Sequence, residues 1–183
     1  MFARLIVATT LAAVAATAAA SASLGLGTKA PDFTAQASLG GTVYTFNLAD
    51  ALKKGPVVLY FYPAAFTPGC TIEAHDFAAA IDQYKALGAT VIGVSHDTIA
   101  TLNRFSVSEC RSKFPVAADP QLTVAKAYDA VLPQNTAYAN RTSYVIVPDG
   151  TIIYTYTNLD PSQHVANTLA ALRGWERAHP SPH

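Results

Sequence analysis

The chain of 183 residues is long enough for one domain with a full core and too short for two. Hydrophobic residues make up 51% and charged residues 13%, which excludes extended disorder. Twelve Lys+Arg balance 12 Asp+Glu, leaving no basic surplus for nucleic acid, and the two cysteines, Cys70 and Cys110, are too few for a disulfide scaffold or a four-cysteine zinc site.

Residues 1–22 start Met1-Phe2-Ala3-Arg4, run apolar from Leu5 to Ala20, and carry small residues at Ala18, Ala20 and Ala22. A positive start, an apolar middle and a small-residue end predict a signal peptide that is cleaved away. The alternative, an uncleaved anchor, fits less well because the run is Ala-rich and shorter than the ~20 apolar residues of a membrane span. The mature protein is therefore expected to be exported, periplasmic or secreted, with no membrane attachment, in a compartment where disulfides persist.

The domain is expected over residues 27–177, opening on Pro31-Asp32-Phe33. Thr42–Phe46 alternates after Gly40-Gly41 and reads as an early strand. Pro56–Tyr62 is continuously apolar, as in a central strand covered on both faces. A loop from Pro63 to Gly69 leads to a helix with Phe77, Ala80, Ile81, Tyr84 and Leu87 on one face, ended by Gly88. Thr90–Ser95 is a second buried strand. Asp97 or Thr98 caps a helix presenting Ile99, Leu102 and Phe105. Phe114–Ala118 is short and extended, and Asp119-Pro120 starts a short helix to about Ala130.

Ser143–Val147 is the third strong strand, and Asp149-Gly150 signals a two-residue hairpin into Thr151–Thr157. Asp160 caps a last helix with Pro161 in its first position and Val165, Leu169 and Leu172 as its stripe. Beyond Trp175 the chain turns polar, and residues 178–183 are expected to be a loose tail. Parallel strands with crossover helices and a closing hairpin give an α/β fold, a three-layer sandwich.

Cys70 follows a buried strand and opens a helix. Thr67 suits the N-cap and Pro68 the first helical position, which puts Cys70 in the first turn. Unpaired N–H groups and the macrodipole favour an anion there, and the thiolate is the reactive form of cysteine. An inert buried cysteine is the competing reading. The run Phe66-Thr67-Pro68-Gly69-Cys70 has Thr67 where the first cysteine of a C-x-x-C pair would stand, so dithiol exchange by such a pair is excluded.

The spacing Pro63-x-x-x-Thr67-x-x-Cys70 resembles the active-site signature of the peroxiredoxins. The longer run Phe61-Tyr62-Pro63-Ala64-Ala65-Phe66-Thr67-Pro68-Gly69-Cys70-Thr71-Ile72-Glu73 is similar to the bacterioferritin-comigratory-protein, or peroxiredoxin Q, branch of that family. Pro31-Asp32-Phe33, Gly93-Val94-Ser95-His96-Asp97, Asp119-Pro120, Arg141 before a strand, and Asp149-Gly150 extend the match over residues 27–177.

The resemblance implies a thioredoxin-like α/β/α fold with a mixed sheet. It also implies reduction of hydrogen peroxide or small organic hydroperoxides without metal or cofactor. Cys70 would be the peroxidatic thiolate, becoming a sulfenic acid. Full ionisation gains at most roughly 30-fold at pH 7, about 2 kcal/mol, whereas preorganised donors to the developing charge are each worth ~10²–10³. Arg141 would be the charged donor. Thr67 would orient thiolate and peroxide, the backbone around Gly69 and Cys70 would complete the pocket, and Pro63 would shield the sulfur.

Glu73 lies on the buried side of its helix, one turn from Cys70, and is read either as the partner that holds Arg141 or as an ordinary first-turn acid. Relatives often carry a resolving cysteine five residues after the first; here that residue is His75. Cys110 is the remaining thiol, expected on the helix after Thr90–Ser95. It either resolves the sulfenic acid or is structural, with an external thiol completing turnover. A thioredoxin-like protein or small thiol would be the reductant, and the protein would be a monomer or weak homodimer.

His75 and His96 are expected at the surface, and His164, His179 and His183 on the last helix and tail. The sequon Asn140-Arg141-Thr142 is discounted as a glycan site because a sugar would obstruct Arg141. A thiol–disulfide oxidoreductase of the same fold and a non-enzymatic binding module are the rival functions.

Overall fold

The structure, a computed structural model, describes residues 23–180. The signal-peptide expectation for residues 1–22 lies outside the described residues.

Two strands, β1 (Thr34–Leu39) and β2 (Thr42–Asn47), form a hairpin across Gly40-Gly41, both at positive φ. The first was not anticipated, because Ala35 and Ala37 carry little β signal. A five-residue helix, α1 (Leu48–Leu52), follows, and the Asn47 side chain caps it by accepting from Asp50 N–H. It is too short to show a helical period. Next come β3 (Val57–Phe61), α2 (Pro68–Ala86), β4 (Thr90–Ser95) and α3 (Ile99–Ser108). The remainder is β5 (Val116–Ala118), α4 (Thr123–Ala127), β6 (Thr142–Ile146), β7 (Ile152–Thr157) and α5 (His164–Ala178).

The strands form one mixed sheet in the order β2-β1-β5-β4-β3-β6-β7. Pairings β3–β4 and β4–β5 are parallel, and the others are antiparallel. Alternation along β3 sends Val57, Leu59 and Phe61 into one core, with Leu48, Ile92, Tyr128 and Tyr144. It sends Val58, Tyr60 and Tyr62 into the other, with Phe77, Ile81, Leu102, Phe105 and Leu169. Helices α1 and α4 cover the first face and α2, α3 and α5 the second, giving the expected three layers. Gly93 in β4 has a packing reason: a Cβ there would lie 2.7 Å from the Tyr60 ring.

Several local expectations need correction. Thr98 caps α3 by accepting from Thr101 N–H; Asp97 serves elsewhere. The helix expected from Pro120 begins only at Thr123, because Leu122 is left-handed at φ 54°, and Asp119 caps it by accepting from the N–H groups of Thr123 and Ala125. The turn between β6 and β7 has three residues, Pro148, Asp149 and Gly150, not two: Val147 N–H reaches Thr151 O around it, and Gly150 sits at φ 83°. Asp160 caps a 3₁₀ turn, Pro161–Gln163, ahead of α5. That helix runs through Ala178, past the point where the loose tail was expected, and Trp175 stacks on His179 beyond its end with ring centroids 5.1 Å apart.

Candidate active site

The Pro63–Gly69 loop leaves the end of β3 and is pinned from the end of β4. His96 Nδ1 donates to Pro63 O at 2.8 Å, and the Asp97 carboxylate accepts from Ala65 N–H at 2.7 Å and from the Ser95 hydroxyl. Phe66 takes a left-handed conformation at φ 64°, a strained choice for a bulky residue, with its ring edge-on to Phe105. Both His96 and Asp97 stand in the loop's support. Sequence reasoning had given them only surface and capping roles.

Thr67 occupies the N-cap position of α2, but its hydroxyl makes no capping bond; it donates to Ala64 O at 2.9 Å. The hydroxyl oxygen keeps its lone pairs and remains exposed to solvent. Pro68 takes the first helical position, as expected. Gly69 and Cys70 follow in the first turn, where backbone N–H groups have no intrahelical acceptor. Cys70 is buried, 2% exposed.

Arg141 enters from the residue before β6 and is buried. Its Nη2 donates to Cys70 Sγ at 3.4 Å, its Nη1 to the Glu73 carboxyl, and its Nε to Leu159 O at 2.8 Å. A Cβ on Gly69 would stand 3.1 Å from Nη2, so the absence of a side chain there lets the guanidinium close on the sulfur. Glu73 is fully buried on the inner face of α2, as its register demands.

The site's charges follow from this burial. Burial alone would lower Arg141, but the adjacent Glu73 and Cys70 outweigh it and hold the guanidinium above its ordinary value. Burial pushes the Glu73 carboxyl up to about 8, against the pull of Arg141.

Behind this pair lies a residue that sequence reasoning left without a role. His164, expected simply on the last helix, is fully buried. Its Nε2 bonds Asn158 O at 2.9 Å, and its Nδ1 lies 2.8 Å from Ser143 Oγ and 3.7 Å from Glu73 Oε1. Burial lowers its pKa to about 4. The available signal was periodic: His164, Thr168 and Leu172 share the inner face of α5.

Cys110 is not on α3 as expected. The helix stops at Ser108, and Cys110 lies in the turn beyond, before Arg111 and Ser112 at positive φ. Its thiol is fully buried in the same core as Cys70, and both cysteines are free. Burial, followed by Glu109, pushes that thiol well above its ordinary value. His75 is part-exposed and pairs with Glu109 at 2.9 Å, which ties α2 to the end of α3. Asn140 of the sequon is buried.

The sequence model of the AhpC/TSA family matches residues 26–155. A putative peroxiredoxin bcp of Helicobacter pylori strain J99 is 33% identical over 155 residues, which cover 81% of this chain and 98% of the relative. A chloroplastic peroxiredoxin Q of Triticum aestivum is 34% identical over 80% of this chain; the match spans 66% of the wheat protein, just under two thirds of its length. Among solved structures, peroxidoxin BcpB of Mycobacterium tuberculosis superposes with a TM-score of 0.74 at 30% identity, covering 81% of this chain and 96% of that one.

Proposed function

The chain belongs to the AhpC/TSA family of peroxiredoxins, and we propose that it is a thiol-dependent peroxidase that reduces hydrogen peroxide or small organic hydroperoxides at Cys70. The contact that carries this reading is Arg141 Nη2 on Cys70 Sγ at 3.4 Å, made inside a buried first helical turn.

The Cys70 thiolate attacks one peroxide oxygen. An S–O bond forms, the O–O bond breaks, and the departing oxygen leaves as alkoxide or hydroxide and takes a proton. Cys70 is left as the sulfenic acid. Arg141 stabilises the thiolate and the charge growing on the oxygens, and the N–H groups of Gly69 and Cys70 supply neutral donors. The Thr67 hydroxyl has its hydrogen on Ala64 O, so its oxygen accepts from the peroxide O–H and aims the substrate at the sulfur. Pro63 closes the loop over the sulfur. Glu73 and the Leu159 carbonyl fix the guanidinium plane.

Resolution falls to Cys110, whose thiol displaces water from the sulfenic acid to form a disulfide. A thioredoxin-like protein or small thiol then returns both sulfurs to thiols. Both thiols are free and buried in one core, so forming the disulfide calls for local opening at the turn after α3 and the first turn of α2. The same burial favours the second reading, in which an external thiol attacks the Cys70 sulfenic acid directly. Export of the enzyme rests on residues 1–22 alone.

Peroxide consumption with a dithiol reductant tests the assignment. Cys70→Ser is expected to be inactive, and activity near that of the wild type would overturn it.

A further inference from the structure

We propose that His164 is a positioning residue for the peroxide reaction, acting at a distance by locking the loop that orients Arg141. The inference rests on the peroxidase reading and adds a residue to it.

The loop Asn158–Asp160 is exposed to solvent along its length, and Leu159 is 53% exposed. Yet it supplies an acceptor to the buried guanidinium, because Arg141 Nε donates to Leu159 O at 2.8 Å. An exposed loop is a poor foundation for a group that must be aimed to a fraction of an ångström. Its side-chain anchor from the core is His164, whose Nε2 meets Asn158 O, the carbonyl one residue before Leu159, at 2.9 Å. Among the described residues, the loop's backbone tie inward is Asn158 N–H to Arg141 O, which comes from the residue being positioned.

The ring's hydrogens follow from its partners. A carbonyl only accepts, so Nε2 carries the hydrogen. Nδ1 of the neutral ring then accepts from the Ser143 hydroxyl at 2.8 Å, two residues along β6 from Arg141. The Tyr156 ring closes edge-on with centroids 4.8 Å apart. The chain of support runs from α5 through His164 to the Asn158–Leu159 carbonyls, then to the Arg141 plane and to Cys70. Glu73 Oε1, which has no hydrogen-bond partner among the described residues, lies 3.7 Å from the same Nδ1.

The test is a double-mutant cycle on the second-order rate of peroxide with reduced enzyme, followed by stopped flow. His164→Asn loses the Nε2 donor and is expected to slow the reaction roughly tenfold to a hundredfold, the scale of a small misplacement of a reacting group. His164→Gln, whose amide nitrogen reaches the Nε2 position, is expected to recover most of the rate. In an Arg141→Lys background, where no guanidinium plane remains to orient, His164→Asn is expected to cost nothing further. If His164→Asn does not fold, Ser143→Ala replaces it in the cycle and is expected to show a smaller slowing that also vanishes in Arg141→Lys. A loss that persists in full beside Arg141→Lys, a rate within about twofold of wild type for His164→Asn, or a His164→Gln as slow as His164→Asn overturns the positioning role while leaving the peroxidase intact. A wild-type enzyme unreactive toward peroxide overturns both.

Discussion

The guanidinium of Arg141, rooted one residue before β6, lies 3.4 Å from the sulfur of Cys70 in the first turn of α2. The same planar group also serves Glu73 and the Leu159 carbonyl, three acceptors in one fork. A lysine ammonium is a point charge and cannot reproduce that fork. Arg141→Lys is expected to lower the rate of peroxide reduction by about 10²-fold, the scale of one lost transition-state donor. Stopped-flow measurement within a few-fold of wild type would remove Arg141 from the chemistry.

Glu73 sets a pH dependence of known sign. Its folded-state pKa is raised from 4.5 to about 8, by burial foremost. Between those values the unfolded chain has released a proton that the folded chain retains, so the group's contribution is present in full below pH 4.5 and is lost as pH rises toward 8. Glu73→Gln keeps an acceptor for Arg141 and is expected to abolish this fall, measured as the wild-type-minus-variant difference in urea unfolding free energy at pH 5 and pH 8. Glu73→Ala instead removes a hydrogen-bond acceptor from the buried guanidinium and is expected to cost about 1–3 kcal/mol. A difference that does not change with pH would show Glu73 ionised throughout.

His164 has the opposite slope. Burial lowers its folded-state pKa from 6.5 to about 4, the Asn158 carbonyl and Asp160 raise it, and Arg141 lowers it further. The unfolded chain therefore binds the extra proton first. His164 contributes fully above pH 6.5, and its contribution is lost as pH falls toward 4, about 3 kcal/mol over the whole range. The difference in unfolding free energy between wild type and His164→Gln is expected to shrink from pH 7 to pH 4. A constant difference would mean that the imidazole does not charge on unfolding.

Thr67 separates two roles that share one hydroxyl. Because it donates to Ala64 O and leaves the helix N-terminus uncapped, removing it should cost little helix stability. Thr67→Val is expected to lower the peroxide rate by about tenfold or more, with the unfolding free energy within about 1 kcal/mol of wild type, and Thr67→Ser is expected to restore the rate. Equal losses of rate in both variants would assign the effect to shape instead of the hydroxyl.

The parts of the molecule legible in the sequence were those written in long or strict patterns. Pro56–Tyr62 reads as a buried strand because burial on both faces leaves no polar position. The α2 stripe reads as a helix because Phe77, Ile81 and Tyr84 repeat with its period. Glu73 could be placed on the inner face by the same register. The chain order gives no measure of how far β6 lies from α2, so the Arg141–Cys70 contact was an implication of resemblance and needed β3 to pair with both β4 and β6 before it became geometry. Short or locally overridden features were hidden. Strand β1 is held by its partners more than by its own alanines, and α1 spans five residues. Asp97 matches a cap by type but turns to the Pro63–Gly69 loop, and His164 was one polar residue beside an apolar stripe.

The most direct measurement is the intact mass of the fully reduced protein after a stoichiometric addition of hydrogen peroxide under non-reducing conditions, run beside Cys70→Ser and Cys110→Ser. The account predicts loss of two hydrogens in the wild type, gain of one oxygen at Cys70 in Cys110→Ser, and no change in Cys70→Ser. A wild-type mass that stays the same, or a change of equal size in Cys70→Ser, would contradict it.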